Sequence, residues 1–233
     1  MAEIRIPAAV AGCRSRLEDA GYPAYLVGGC VRDLLLGRIP ADYDLTTAAR
    51  PEQVMELFER TVPTGLKHGT VTVLTADGPV EVTTFRREEG YADGRHPDRV
   101  SFDAGLFEDL ARRDFTVNAM ATDLRGTVYD PFNGQADLQE GILRCVGDPE
   151  RRFSEDALRI LRCLRFAAVL GFSVEPETDK ALMTCRDLLR EMAPERVHEE
   201  LTKLLCGPWA PAVLRQYPQV VGVVLPEILP MVG

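Results

Sequence analysis

The sequence predicts an α+β fold, with a small mixed β-sheet and flanking helices up to about residue 147 and an all-helical segment beyond it. Three observations support this prediction. Residues 25–38 show the pattern of a short strand, a turn at two glycines and a helix. Residues 70–85 alternate in polarity and are rich in Thr and Val, which is typical of a β-hairpin. After Gly147 the apolar spacing is helical throughout.

Bulk properties limit the class of protein. The chain has 233 residues, of which 45% are hydrophobic and 27% charged, enough to bury a substantial core. No apolar run approaches the ~20 residues that span a bilayer, and the N-terminus lacks the pattern of a secretory signal. We therefore expect a cytoplasmic protein with no membrane partner.

Charge and cysteine usage exclude two further classes. The net charge of −9 argues against non-specific nucleic-acid binding over the whole surface, so an RNA partner requires a local basic face. The six cysteines form no C-x-x-C pair, and the three histidines are isolated from them. We expect reduced, mostly buried thiols and no zinc site.

The elements of the first part follow in order along the chain. Residues 7–21 have the spacing of an amphipathic helix, and a strand is expected over 43–47, after the strand, turn and helix of residues 25–38. Pro51 suits the first turn of the next helix. Beyond the hairpin, residues 87–101 lack periodicity and predict a long loop, either a hydrated surface loop or a lid that closes on substrate.

Helical spacing dominates the rest. Residues 106–121 predict a helix, and residues 130–138 predict a rigid connector because they hold the turn signals Asp-Pro and Asn-Gly. Residues 154–171 predict one helix that begins with Ser154 as N-cap and ends at Gly171. Two more helices are expected in the ranges 177–190 and 194–206.

The bend at Gly28 and Gly29 suits a phosphate chain. Glycines at a helix start let backbone N–H groups approach an anion closely, where the helix end adds partial positive charge. Arg32, in the first turn, adds a full charge and a fork of donors. Two glycines before a helix are, alone, usually only a turn.

Acidic residues follow the bend. Asp42 and Asp44 are one residue apart, so a strand here places both carboxylates on one face. Adjacent carboxylates repel each other unless a cation lies between them, and hard oxygen ligands suit Mg²⁺. A lone D-x-D is more often a solvated turn. Glu81, on the second hairpin strand, taken alone predicts a solvent-facing acid.

One basic segment stands out in the acidic chain. Between Arg151 and Arg165 there are five arginines and two acids. Ordinary surface arginines explain such runs equally well. Within the segment, Asp156 and Arg159 are three residues apart, so they are neighbours on one helix face and could simply pair with each other.

These features together resemble a known signature. The stretch L-V-G-G-x-V-R-D, followed by D-x-D, resembles that of the polymerase-beta-type nucleotidyltransferases. Its residue pattern is similar to that of the class II tRNA nucleotidyltransferases. This family comprises the CCA-adding enzymes and their bacterial poly(A) polymerase relatives. Four more motifs of that family follow in its order within residues 22–206: R-R-D-x-x-x-N from Arg112, D-P-x-x-G-x-x-D-L from Asp130, E-D-x-x-R from Glu155 and P-E-R-V-H-E-E-L from Pro194.

The resemblance implies roles for single residues. The implied catalytic residues and Mg²⁺ ligands are Asp42, Asp44 and Glu81. The implied nucleotide-binding residues are Gly28, Gly29, Arg32, Arg113, Asp114, Asn118, Asp156, Arg159, Arg162 and Arg165. In the second motif an Arg contacts the nucleotide while the Asp and Asn act around its sugar. Asp156 and Arg159 match the family's protein template for the incoming base.

An Asp and an Arg on a rigid element can distinguish bases. Cytosine and adenine both present an amine beside an unprotonated ring nitrogen; a carboxylate accepts from the amine while a guanidinium donates to the nitrogen. Uracil and guanine present a carbonyl and an N–H instead, so both contacts fail and buried groups are left unpaired. The pair therefore suits CTP and ATP.

The resemblance implies an enzyme that adds CMP and AMP to the 3′ end of tRNA from CTP and ATP, in the sequence CCA, and releases pyrophosphate. Relatives that add CCA carry a flexible loop like residues 87–101, whereas relatives that add only CC lack it; His96 in that loop replaces an Arg of many relatives. A poly(A) polymerase and a CC-adding enzyme remain alternatives, as does an inactive nucleotide- or RNA-binding module.

Three segments are expected on the same basis. Residues 1–147 match the nucleotidyltransferase head, residues 148–207 the helical neck that selects the nucleotide, and residues 208–233 the start of a helical body. Family members continue into body and tail domains that hold the tRNA, so this chain is expected to be truncated within the body.

Overall fold

The structure, a computed structural model, describes residues 6–90, 99–123 and 125–231. These residues form two compact units, the first built from residues 6–89 and 99–135 and the second from residues 136–231. The first unit carries a mixed sheet with helices and the second is helical apart from one pair of short strands, which confirms the predicted α+β class. No helix in these ranges is long and apolar enough to cross a membrane.

A seven-stranded sheet organises the first unit, in the order β3-β4-β5-β2-β1-β8-β9. Neighbouring strands are antiparallel except β2 and β5, which are parallel. A separate antiparallel pair is formed by β6 and β7. The strands of this unit are β1 (Ala24–Val27), β2 (Asp44–Thr47), β3 (Thr61–Gly65), β4 (Thr70–Thr75), β5 (Gly78–Thr84), β6 (Arg87–Glu89), β7 (Arg99–Ser101), β8 (Ala121–Thr122) and β9 (Val128–Tyr129).

Alternating side chains explain the hairpin. Val71 and Val73 of β4 are buried, as are Val80 and Val82 of β5, whereas Glu81 between them is exposed. The predicted hairpin is confirmed, because each strand buries one face of apolar side chains beneath the helices and leaves the other face polar.

The helices of the first unit are α1 (Ala8–Asp19), α2 (Gly29–Leu35), α3 (Pro51–Leu57) and α4 (Leu106–Ala111), and α5 (Gly134–Glu140) crosses to the second unit. Helix α4 is much shorter than the helix predicted over residues 106–121. The chain turns at Asp114, whose carboxylate accepts from the backbone N–H of Phe115 and from the side chain of Asn118. These local bonds compete with helix formation, and a single 3₁₀ turn over Thr116–Asn118 leads into β8.

Helix α7 is the centre of the second unit. Its side chains Ile160, Leu161, Cys163 and Leu164 are completely buried. The helices of this unit are α6 (Pro149–Glu155), α7 (Leu158–Leu170), α8 (Pro176–Cys185), α9 (Pro194–Leu205), α10 (Ala210–Gln216) and α11 (Pro218–Val224), with 3₁₀ turns over Arg186–Glu191 and Pro226–Met231. The parallel strands β10 (Ile142–Leu143) and β11 (Ser173–Val174) complete it.

The predicted helix over residues 154–171 is two helices, α6 and α7. Ser154 is not an N-cap; its hydroxyl donates to the carbonyl of Glu150 inside α6. Asp148 caps α6 by accepting from the backbone N–H of Arg151, and Asp156 accepts from the N–H of Leu158 at the start of α7. The break therefore places Asp156 at a junction between helices rather than on a helix face.

Candidate active site

Two acidic side chains meet on neighbouring strands of the first unit. Asp44 is the first residue of β2 and is in register with Glu81 on the parallel strand β5. Residues in register on adjacent strands project to the same side of a sheet. Strand β2 begins one residue later than predicted, so Asp42 lies in the connection just before it rather than on the strand.

The surroundings of Asp44 disfavour its ionised form. Burial, together with the carboxylates of Asp42 and Glu81, raises the pKa of Asp44 to about 6, although the Arg113 guanidinium opposes this rise. A divalent cation would stabilise the ionised form of Asp44 and so lower its raised pKa. Carboxylate oxygens are suitable ligands for such a cation.

Metal binding at this place is supported by donor type, strand register and electrostatic coupling. Within residues 6–90, 99–123 and 125–231, no three His, Cys, Asp or Glu side chains are already drawn together as a metal-binding group. The three acids fit Mg²⁺ by their chemistry, and the side chains of Asp42 and Glu81 are exposed and therefore accessible to an ion.

The first glycine of the bend before α2 has a backbone conformation that residues with a Cβ rarely adopt. Gly28 has φ 80° and ψ −133°, and its N–H donates to the carbonyl of Met120 at 3.1 Å. A Cβ atom there would lie 2.7 Å from Nη1 of Arg113. At Gly29 the nearest atom to a Cβ is Nη2 of Arg32 at 3.6 Å, an ordinary contact.

A chain of hydrogen bonds joins the first and second motifs. Nη1 of Arg32 donates to Oδ1 of Asn118 at 2.7 Å, and Nδ2 of Asn118 donates to Oδ1 of Asp114 at 3.2 Å. All three side chains are buried. The structure thus brings together the predicted residues around the bend, which lie 82 to 86 positions apart between Arg32 and the pair Asp114 and Asn118.

Sequence reasoning missed Asp109. This carboxylate is completely buried; its Oδ1 accepts from Arg112, and its Oδ2 accepts from Arg113 and from the hydroxyl of Thr46. An acid in a short amphipathic helix normally indicates a surface position, so its pattern gave no signal. The available clue was the spacing of three and four residues to the two arginines.

The base-selecting candidates lie in the second unit. Asp156 is fixed at both oxygens, because Oδ1 accepts from the N–H of Leu158 at 3.1 Å and Oδ2 accepts from Nη2 of Arg196 at 2.9 Å. Arg159 is buried and its Nη1 donates to Oε2 of Glu155 at 2.9 Å. The ion pair expected between Asp156 and Arg159 is thus replaced at Asp156 by one to Arg196 on α9.

The two further arginines share one acid. Nε of Arg165 donates to Oε2 of Glu200 at 2.6 Å, and Nη1 of Arg162 lies 3.7 Å from Oε1 of the same residue. Both guanidinium groups also lie over the ring of Phe166. Arg196 and Glu200 belong to the motif that begins at Pro194, and no individual role was predicted for either of them from the sequence.

The loop predicted over residues 87–101 begins and ends in paired strands. Glu88 of β6 is in register with Val100 of β7. Residues 91–98, including His96, lie outside the described residues, and so does the prediction of a lid there.

Two families of known proteins match separate parts of the chain. Residues 24–144 match the family described as Poly A polymerase head domain, and residues 171–218 match the family described as Probable RNA and SrmB- binding site of polymerase A.

Individual relatives are similar over most of the chain. A CCA-adding enzyme of Lactobacillus helveticus is 54% identical over 192 residues, which is 82% of this chain and 48% of the relative. A CCA-adding enzyme of Lactiplantibacillus plantarum is 52% identical over 191 residues, covering 82% of this chain and 47% of the relative. The chain thus spans about half the length of the relatives it matches.

Solved structures show the same similarity. The Bacillus stearothermophilus CCA-adding enzyme in complex with CTP has a TM-score of 0.83 and 45% identity, covering 89% of this chain and 50% of the other. A tRNA nucleotidyltransferase complexed with a primer tRNA and an incoming ATP analog has a TM-score of 0.76 and 33% identity, covering 93% of this chain and 62% of the other.

Proposed function

The chain belongs to the Poly A polymerase head domain family, and from this premise we propose that it is the head and neck of a CCA-adding enzyme. In that role it transfers CMP and AMP from CTP and ATP to the 3′ end of a tRNA in the cytoplasm. Residues 1–147 would be the head, residues 148–207 the neck, and residues 208–233 the start of a helical body. The relatives named above support this assignment.

The proposed reaction is a displacement at phosphorus. The 3′-hydroxyl oxygen of the RNA forms a bond to the α-phosphorus of the nucleotide, the bond from that phosphorus to the bridging oxygen breaks, and pyrophosphate leaves. When bound by Asp42, Asp44 and Glu81, Mg²⁺ would favour ionisation of the attacking hydroxyl and neutralise charge on the triphosphate. The observation that carries the proposal is the register of Asp44 with Glu81 beside the bend at Gly28.

The first unit would hold the sugar and triphosphate. The guanidinium groups of Arg113 and Arg32 lie near Gly28 and Gly29 respectively, and these groups, with the backbone N–H groups at the start of α2, would bind the phosphates. Asp114 and Asn118 keep Arg32 in place through their chain of hydrogen bonds, and they would act around the sugar.

The second unit would choose the base. Asp156 keeps free lone pairs on oxygens already fixed by Leu158 and Arg196, so a cytosine or adenine amine can still donate to it. Arg159 would donate to the adjacent ring nitrogen. Arg162 and Arg165, oriented by Glu200, would complete the contacts to the nucleotide.

Incubation with a tRNA that lacks its 3′ CCA tests the proposal. The chain, Mg²⁺ and each labelled nucleoside triphosphate are combined, and the products are sequenced. We expect CCA ends from CTP and ATP together, no product from UTP or GTP, and no product with the D44N variant.

Other products would identify the alternatives. A long A tract on varied RNAs would indicate a poly(A) polymerase, and ends in CC would indicate a CC-adding enzyme. Equilibrium binding of CTP with no incorporation at any RNA concentration would contradict the proposed activity and indicate a binding module.

A further inference from the structure

We propose that Asp109 is a positioning residue for the nucleotide, acting through Arg113. The inference rests on the proposed function, because it assumes that Arg113 contacts the incoming nucleotide. It assigns a role in substrate binding to a buried acid that lies in none of the motifs that carry the family resemblance.

Asp109 accepts hydrogen bonds from three residues of the first unit. Its Oδ1 accepts from Nε and Nη2 of Arg112 at 3.0 and 2.8 Å. Its Oδ2 accepts from Oγ1 of Thr46 at 3.2 Å and from Nη2 of Arg113 at 3.5 Å. Thr46 lies on β2, two residues after Asp44. The carboxylate therefore ties the arginine pair to the strand that carries the proposed metal ligand.

The buried carboxylate is charged. Burial opposes its ionisation, but the guanidinium groups of Arg112 and Arg113 outweigh burial and hold the pKa of Asp109 below its usual value. A charged group with no exposed surface is stable only with partners on every side. Asp109 has such partners, because it accepts four hydrogen bonds from Thr46, Arg112 and Arg113.

Arg113 lies between this carboxylate and the glycine bend. Its Nη2 is 3.5 Å from Oδ2 of Asp109, and its Nη1 is 2.7 Å from the position that a Cβ of residue 28 would take. Its Nε is buried and, among the described residues, has no hydrogen-bond partner. An unpaired buried donor is costly. In this arrangement a phosphate or sugar oxygen of the bound nucleotide accepts a hydrogen bond from Arg113. Asp109 orients the Arg113 guanidinium before the nucleotide binds.

A purely structural role for Asp109 gives a different expectation. Arg112 also pairs with Glu88, which in turn pairs with Arg86, so Asp109 could serve only this charge network. In that case its removal would weaken folding, and any loss of binding would not depend on Arg113. A double-mutant cycle separates the two roles.

The experiment measures the dissociation constant of CTP by calorimetry, without RNA, for the wild type, D109N, R113A and the double variant D109N/R113A. D179N is the matched control, since Asp179 is a half-buried acid of the second unit that accepts a hydrogen bond from Tyr217. We expect D109N to weaken CTP binding about tenfold and, in the R113A background, less than about twofold. D179N should bind CTP as the wild type does.

Three results would overturn the inference. Unchanged CTP binding by D109N removes the role of Asp109, and an equal loss in both backgrounds shows that it does not act through Arg113. Failure of the wild type to bind CTP defeats the proposed function, and the inference with it. If D109N does not fold, T46V takes its place in the cycle: it keeps the charge, removes one fixing hydrogen bond, and should weaken binding about threefold only when Arg113 is present.

Discussion

At the scale of single residues, two features of the candidate site lower the stability of the folded protein. Asp44 is held beside two other acids in a partly buried place, which raises its pKa to about 6. Gly28 adopts a backbone conformation that other residues rarely adopt, in order to leave room for Arg113. Such unfavourable features are retained at functional sites, and each of them predicts a measurable effect.

Neutralising Asp44 should stabilise the metal-free protein. Because the folded-state pKa lies above the unfolded value, Asp44 contributes stability below pH 4 that is lost as the pH rises through about 6. D44N should therefore be more stable than the wild type by about 1–2 kcal/mol at pH 8, with a smaller difference at pH 4.5. Urea unfolding in EDTA measures it, and an equal difference at both pH values would refute it.

Gly28→Ala should damage both folding and binding. The positive φ costs about 1–3 kcal/mol for a residue with a Cβ, and the methyl group displaces Nη1 of Arg113. Urea unfolding and CTP titration measure the two effects. For stability alone the matched control is Gly29→Ala, whose Cβ meets only an ordinary contact. Equal stability of the two variants would show that the bend does not require glycine.

At the scale of elements, the sequence predicts what depends on periodicity. The hairpin of β4 and β5 follows from alternating Val and Thr, and the helices of the second unit follow from apolar spacing. The ends of the helices were predicted less well, because they depend on local hydrogen bonds between side chains and the backbone. Asp114 ends the helical segment that spacing would extend to residue 121, and Asp156, not Ser154, marks a helix start.

In the candidate site, too, some features were predictable from the sequence and others were not. The resemblance supplied the acids, glycines and arginines by position. It could not supply the partners that fix them, since Asp109, Arg196 and Glu200 act through contacts across the fold. Those contacts depend on how α4 and α9 pack, which no short pattern encodes.

Close packing of α7 predicts an effect at Gly207. A Cβ there would lie 2.7 Å from the backbone carbonyl of Ala168, which cannot move without distorting α7. Gly207→Ala should destabilise the protein by about 2 kcal/mol. Gly12→Ala is the control: nothing lies near its Cβ in α1, so it should stabilise by about 0.5–1 kcal/mol. Urea unfolding compares the two variants, and an unchanged stability of G207A would mean that the connection between α9 and α10 packs less closely on α7.

At the scale of the whole molecule, the proposal divides the work between two units. The first unit carries the three acids and the glycine bend that are proposed to bind metal and phosphate, and the second carries the pair proposed to select the base. A chain that spans about half of its relatives therefore contains every residue to which the proposal gives a chemical role. Chemistry and base choice should then be separable by mutation.

Changing Asp156 and Arg159 together should relax base choice. In D156N/R159Q the groups that match cytosine and adenine are lost, so the preference for CTP and ATP over UTP and GTP should fall at least about tenfold. Incorporation with each nucleotide measures it. R151Q is the control, because Arg151 is an exposed member of the same basic segment. A preference that persists in D156N/R159Q would refute the protein-template role.

In the proposed mechanism Asp42, Asp44 and Glu81 together hold divalent ions. Anomalous diffraction from crystals of the chain grown with CTP and Mn²⁺ in place of Mg²⁺ locates such ions. We expect manganese peaks at these three carboxylates and the triphosphate beside Gly28. Manganese bound elsewhere, with these acids unliganded while CTP is in place, would contradict the proposed mechanism.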